Sequence, residues 1–450
     1  MGFDYDLVVV GATAAAQQAA LRAAQWQARV AWVTQGELGI CDRANFPPPL
    51  QSDRSSAKPD RVGSLSLAGV DVLAQRGEFH PHPQVALTVG DRALRSRFYL
   101  LALRPTPILP PIAVLDPDVT FTCHTLSHHP VNALPTSWSV LGSSPQTFAW
   151  AQWLSSQGHR VNLTVASAAG IPQPFPSEDP AVNQLCVAHW QAQGIAVRSG
   201  AVRSGAGRSG AEQQGEEAWG PEGVGPASPL GARAVGFLGE APHTWVDAGL
   251  GLDRLGLSNT DPIAANGYGQ TAHAQVYVCG GMRGGYGLPV LAAQEATIAV
   301  DHALGQRPQP LYYAKIPYIL PLDPPVLRVG LTEAQGRRFF RRQRIISLVA
   351  TPLDPVTGET RWAKVVLLGS GRIVGFHGVG QGLEGLLGVM AAAIGQGVPL
   401  GQLGNWAGDA WSYGVVMDWG QQWQRWRLAD FPPFERRLRW FFNLQRTGNF

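Results

Sequence analysis

The chain has 450 residues, 45% of them hydrophobic and only 15% charged, with a formal net charge of +3. The apolar share supports a large core and excludes wholesale disorder. The small charge argues against a bulk nucleic-acid binder. No run of about 18 apolar residues occurs, so no transmembrane helix is predicted. The opening MGFDYDLVVVGA has no basic start, no cleavage site and no myristoylation serine or threonine, and predicts neither signal peptide nor acyl anchor.

In chain order, Asp6–Gly11 reads as a buried parallel strand ending in glycine. Residues Ala14–Gln27 lack Gly and Pro and read as a helix, and Arg29–Val33 as a second strand. Together they form a βαβ unit of the dinucleotide-binding kind. A second such unit is predicted from a strand at Trp138–Gly142, a helix at Gln146–Gln157 and a strand at Arg160–Val165. Between Arg198 and Pro229 the motif Arg-Ser-Gly-Ala recurs and Gly, Ser and Pro accumulate, which predicts a flexible insertion or a decayed hairpin. Order returns at Ala234–Leu238. Val276–Gly281 is a further strand ending in glycine, and Leu291–Leu304 a helix. Trp362–Leu368 and Ile373–Val379 flank a Gly-Ser-Gly-Arg turn, and a helix is predicted at Leu383–Ile394.

Four widely spaced cysteines, Cys41, Cys123, Cys186 and Cys279, make neither a disulfide scaffold nor a CxxC zinc site. Cys123 lies in CHTLSHH with His124, His128 and His129, and ordinary loop residues are the plainer reading than a metal site, so no metal is assigned.

These pieces, in order, resemble the flavoprotein disulfide reductases, with a mercuric-reductase-like flavour. The carrying segments are DYDLVVVGATAAAQQAALRAAQWQARVAWV, FYLLALRPTPILPPIAVLD, ALPTSWSVLGSSPQTFAWAQWLSSQGHRVNLTV, VYVCGGMRGGYGLPVLAAQEATIAVDHALG and YYAKIPYILPLDPPVLRVGLTEAQ. The resemblance implies an α/β fold. Two Rossmann-like modules for FAD and NAD(P), one nested in the other, precede a C-terminal α+β dimerisation domain. The implied limits are 1–110 and 239–308 for the FAD module, 111–238 for the NAD(P)-like module, 309–417 for the dimer domain and 418–450 for a tail. A cytoplasmic homodimer with no nucleic-acid partner follows.

The family's site residues are altered. The FAD fingerprint G-x-G-x-x-G reads here Gly11-Ala12-Thr13-Ala14-Ala15-Ala16. Thr13 puts a β-branched side chain where the pyrophosphate lies, while Ala16 is tolerable against the strand. Thr34 replaces the ribose-binding acid, and Gly280-Gly281 replaces the Gly-Asp whose carboxylate bonds the ribityl chain. In the nicotinamide fingerprint, Gly142 is followed by Ser143, Ser144, Pro145, Gln146 and Thr147, with no acid or arginine after Val165. FAD is therefore expected in a weakened site and NAD(P) is not expected. Cys41 keeps one half of the C-x4-C pair and Phe46 replaces the other, leaving Cys41 as a vestigial catalytic candidate. No histidine follows His377, so the family's base is missing from Asn405–Ser412, where Asp409 is the nearest ionisable substitute.

In the tail, Trp419, Trp423 and Trp426 share one helical face. Leu438, Phe441, Phe442 and Gln445 form another, flanked by Arg436, Arg437 and Arg439, beyond a break at Pro432-Pro433. The tail reads either as a peripheral membrane or protein contact or as a cover for its own dimer domain. Two functional readings follow: a family member that has lost dithiol–disulfide catalysis and kept the fold for a structural or partner-binding role, or a working FAD oxidoreductase of altered chemistry.

Overall fold

The computed structural model describes residues 2–36, 47, 65–80, 85–103, 106–107, 120–126, 134–142, 144–165, 167–168, 171–199, 235–239, 243–244, 249–257, 262–351, 361–403, 410–430 and 432–447. Cys41, Phe46, His128, His129, the Gly-rich stretch beyond Ser199 and Asn405–Asp409 lie outside them. Two compact units result, one built from residues 1–175 and 187–312, the other from 176–186 and 313–450.

The first unit holds two five-stranded parallel sheets. One runs in the order Val276–Val278, Ser96–Leu101, Tyr5–Val10, Val30–Val33, Val70–Leu73. We label Tyr5–Val10 β1, the helix Ala14–Gln25 α1 and Val30–Val33 β2. The apolar runs of β1 and β2 are near-continuous because strands of a parallel sheet are covered on both faces; β2 is buried throughout. The strand Val276–Val278, far away in sequence, completes this sheet, so the chain leaves the module and returns to it. On one face, α1 and the helix Pro289–Ala303 pack together through small residues, Ala16, Ala19 and Ala20 against Ala296 and Ala299. Asp301 locks the pair, accepting from Arg22 at 2.7 and 2.8 Å and from Trp26 at 2.9 Å. Burial disfavours the Asp301 carboxylate, yet these donors hold its pKa below the ordinary value.

The other parallel sheet runs Ala196–Ser199, Arg160–Val165, Ser137–Leu141, Val235–Gly239, Thr120–Phe121. Its helix Pro145–Ser156 is apolar on nearly every side, and Phe148 meets Phe175 and Trp190 at 5.0 and 5.1 Å between ring centres.

The second unit is an antiparallel sheet, Tyr318–Leu320, Val326–Gly330, Ile373–Val379, Trp362–Leu368, Ile345–Ala350. The helices Glu384–Gln396 and Ala410–Asp430 share one core with it. The tryptophan face of the tail belongs to that core: Trp419 is fully buried, Trp423 nearly so, and Gln422 bonds Val349 O at 2.9 Å. A second tail helix, Pro432–Thr447, starts on the two prolines instead of after them, since proline is suited to a helix's first turn. Among the described residues no helix is long and apolar enough to cross a membrane.

Candidate functional site

In dinucleotide folds the anionic cofactor meets the helix N-terminus after the first strand, where unsatisfied N–H groups and the helix dipole favour phosphate. Here β1 ends beside Gly11, whose φ is +126°. A Cβ at this position would lie 2.3 Å from the Ala102 carbonyl oxygen, so the glycine is required by the approach of the neighbouring chain. Trp32 Nε1 donates to Gly11 O at 2.7 Å and fixes the turn from the other side. Ala12 and Ala16 are both buried.

Thr13 is the N-cap of α1. Its Oγ1 accepts from Ala16 N at 3.2 Å and donates to Ala102 O at 2.8 Å. The hydroxyl thus satisfies one of the helix's free donors and ties the turn to the end of the adjacent strand.

The second fingerprint repeats the device. Ser144 caps the helix Pro145–Ser156, its Oγ accepting from Thr147 N at 3.2 Å, and Pro145 occupies the first turn. Thr147 fills the space over Gly142, where a Cβ would come within 2.7 Å of its side chain. At the third place, Gly280 (φ +68°) donates its N–H to Glu295 Oε2 at 2.6 Å. Gly281 follows in the short 3-10 turn Gly280–Arg283. Glu295, 5% exposed, is a buried carboxylate that sequence reasoning missed; it sits in an Ala-rich helix with no local signal of its role. In all three turns a backbone donor is engaged by a side chain of the protein itself.

The end of β2 differs. Thr34 Oγ1 is buried without a hydrogen-bond partner. Next to it Gln35, at φ +60°, accepts from Gly77 N at 3.1 Å through Oε1, while its buried Nε2 has no partner.

The thiols among the described residues, Cys123, Cys186 and Cys279, are free and buried. Burial pushes Cys186 up to about 12 and raises Cys279 further from the thiolate form that nucleophilic chemistry needs. Cys123 Sγ lies 3.9 Å from Thr147 Oγ1 and packs beneath the capped helix.

His377 is the last histidine of the chain. It lies wholly buried in the strand Ile373–Val379, with Nε2 3.2 Å from Leu331 O and no partner for Nδ1. Burial, reinforced by the Arg328 charge, brings its pKa down to about 4, so it is neutral and enclosed. Around it runs an ion-pair cluster that no local sequence pattern reveals. Arg328 Nη1 lies 3.3 Å from Glu178 Oε2 and donates to Ser177 O at 2.7 Å; its Nη2 donates to Gln335 Oε1 at 2.7 Å. Lys364 Nζ pairs with Asp179 at 2.8 Å and with Glu333 at 3.2 Å. Every partner belongs to the second unit, and the cluster pins Ser177–Asp179 to the antiparallel sheet.

No family model matches the chain. Curated relatives do. It is 26% identical over 352 residues to dihydrolipoyl dehydrogenase of Chlorobaculum tepidum, covering 76% of this chain and 72% of that one. It is 25% identical over 330 residues to mercuric reductase of Streptomyces lividans, covering 72% and 67%. Among solved structures, LpdA from Mycobacterium tuberculosis superposes with a TM-score of 0.71 at 19% identity over 92% of this chain and 98% of that one. The HOCl-induced flavoprotein disulfide reductase RclA from Escherichia coli gives 0.68 at 17% identity over 92% and 99%. Relatives found by sequence and neighbours found by fold thus meet on one group: two parallel-sheet modules joined in one unit, then an antiparallel sheet, in the order the sequence resemblance implies. In sequence and in fold the chain is similar to the flavoprotein disulfide reductases.

Proposed function

We propose that this family member has given up dithiol–disulfide catalysis and keeps the fold for a structural or partner-binding role. One observation carries the reading: the hydroxyls of Thr13 and Ser144 cap the two nucleotide-facing helices at the positions where glycine would leave room for phosphate. A pyrophosphate arriving at α1 meets a donor already satisfied and a methyl group in its path. The buried Glu295 carboxylate on Gly280 N–H adds a negative charge where an anionic cofactor is least tolerant of one. FAD therefore binds weakly and NAD(P) not at all. Cys41 has Phe46 in place of its resolving partner, and the only histidine of the last domain is locked inside a sheet. The protein forms a homodimer through residues 309–417, as its family does, and the tail supplies a contact for a membrane or protein partner.

A second reading, an FAD-dependent oxidoreductase of altered chemistry, is favoured by Thr34 Oγ1 and Gln35 Nε2. They are buried polar atoms without partners at the strand end where a dinucleotide's ribose lies. In that case they would hold the adenosine ribose, and the flavin would supply hydride and electron transfer. The readings part on turnover. With FAD in excess, we expect no NADH- or NADPH-dependent reduction of a small aromatic disulfide above buffer, and Cys41→Ser to behave as wild type. Turnover abolished by Cys41→Ser overturns the first reading.

A further inference from the structure

We infer that the second unit carries a surface that docks on an anionic lipid bilayer. The inference rests on the partner-contact reading of the tail and narrows it to other residues and one chemistry. Residues 337–344 read Arg-Arg-Phe-Phe-Arg-Arg-Gln-Arg. Phe340 is the inward anchor, packed on Val366, Leu368 and Val374. Phe339 is turned out and 64% exposed. Arg337 pairs with Glu333 at 2.6 Å. Arg338, Arg341 and Arg342 are exposed and make no ion pair among the described residues. At the end of the segment, the Arg344 guanidinium lies 4.9 Å over the Trp426 ring, which is stacked on Trp423. This cationic segment therefore abuts the first tail helix.

The second tail helix continues the same chemistry. Arg436, Arg439 and Arg446 recur at helical spacing and are exposed. Trp440 is 65% exposed and Phe442 48%. Glu435 is the single acidic residue between Pro432 and Thr447. The first tail helix packs Trp419 and Trp423 into the core, whereas Trp440, Phe441 and Phe442 of the second are exposed.

Charge and apolar area together choose the occupant. RNA would meet the arginines and stack a base on the outward Phe339, but a chain with a net charge of only +3 is poorly suited to a polyanion. A second copy would bring the same cationic patch and no anion for it, since a two-fold contact pairs the same surface of both subunits; the dimer contact proposed within 309–417 is therefore expected to leave Arg338, Arg341 and Arg342 outside it. A bilayer offers phosphates and acyl chains at different depths, as an amphipathic arginine-bearing helix requires.

The test is flotation of the full-length protein with vesicles of phosphatidylglycerol and phosphatidylcholine, or of phosphatidylcholine alone. Flavin content and oligomeric mass are measured on the same samples. We expect flotation with the anionic vesicles only, reduced by 0.5 M salt as surface electrostatics requires. The triple variant Arg338→Glu/Arg341→Glu/Arg342→Glu should weaken partitioning by about 100-fold, at roughly tenfold or less for each arginine near an anionic surface. Trp440→Ser/Phe441→Ser should weaken it with thermal midpoint unchanged. No flotation, flotation indifferent to both variants, equal binding of a 20-nucleotide RNA that competes with vesicles, or a change of oligomeric mass in the variants each overturns the inference. Flavin content decides the reading of the nucleotide sites separately, since vesicle binding by this surface needs no flavin.

Discussion

Thr13 shows how one side chain changes what a turn can do. In a dinucleotide-binding turn the helix N-terminus is left open for the ligand; here the hydroxyl closes it and bonds Ala102 O across 89 residues of sequence. The cap stabilises the apo fold, so Thr13→Ala should lower stability by about 1 kcal/mol, as loss of an N-cap does. Thr13→Gly should cost only a few tenths while raising FAD affinity. Denaturant titration and FAD fluorescence quenching check the two arms, and a Thr13→Gly protein no better at retaining FAD would contradict the cap's role. His377 makes a prediction of a different kind. Its folded pKa, about 4, lies below the ordinary 6.5, because burial and then Arg328 disfavour the imidazolium, while Asp179 acts the other way. Protons therefore favour the unfolded chain. The neutral histidine's stability is present above pH 6.5 and lost as pH falls towards 4, by roughly 1.4 kcal/mol for each unit. His377→Gln should flatten the stability–pH curve in that window; an unchanged slope would show that another group governs it.

Elements were legible where local pattern decides them. The apolar runs of β1 and β2, the alanine face of α1 and the Trp362–Leu368 and Ile373–Val379 strands follow from composition and spacing, and the two last-named match the predicted limits. Ends were less legible, because caps set them: the helix read as Ala14–Gln27 stops at Gln25, closed by Trp26. The predicted strand to Gly281 ends at Val278, where the chain turns into a 3-10 segment. Periodicity identified the tryptophan face of the tail but carries no information about which way a face points. That is decided by the strand Ile345–Ala350, on which the helix Ala410–Asp430 lies. The Arg328 cluster was invisible for the same reason, since Ser177 and Arg328 are 151 positions apart. Arg328→Met would leave Glu178 a buried charge without its cation. We expect a loss of about 3–5 kcal/mol, largely restored by Glu178→Leu in the same chain. Denaturation midpoints of the single and double variants check this. A single variant of wild-type stability would show the cluster to be ornamental.

At the scale of the whole molecule, the sheets stand while the turns at Gly11, Gly142 and Gly280 depart from the fingerprint that the resemblance implies. This is physically reasonable, because the sheets are held by buried β-branched and alanine contacts. The departures from that fingerprint at Thr13, Thr34, Gly281 and Ser144 are readable in the sequence. What stands at those turns follows only from the structure: hydroxyl caps at Thr13 and Ser144, a carboxylate at Gly280, and an unpartnered hydroxyl at Thr34. The first three weigh against a bound dinucleotide and the last weighs for one. The visible absorption spectrum of freshly purified protein, repeated after incubation with excess FAD, removal of free FAD and denaturation, sets them against each other. We predict a colourless protein that releases no flavin. A stoichiometric flavin spectrum would contradict the account and make Thr34 and Gln35 the first residues to mutate.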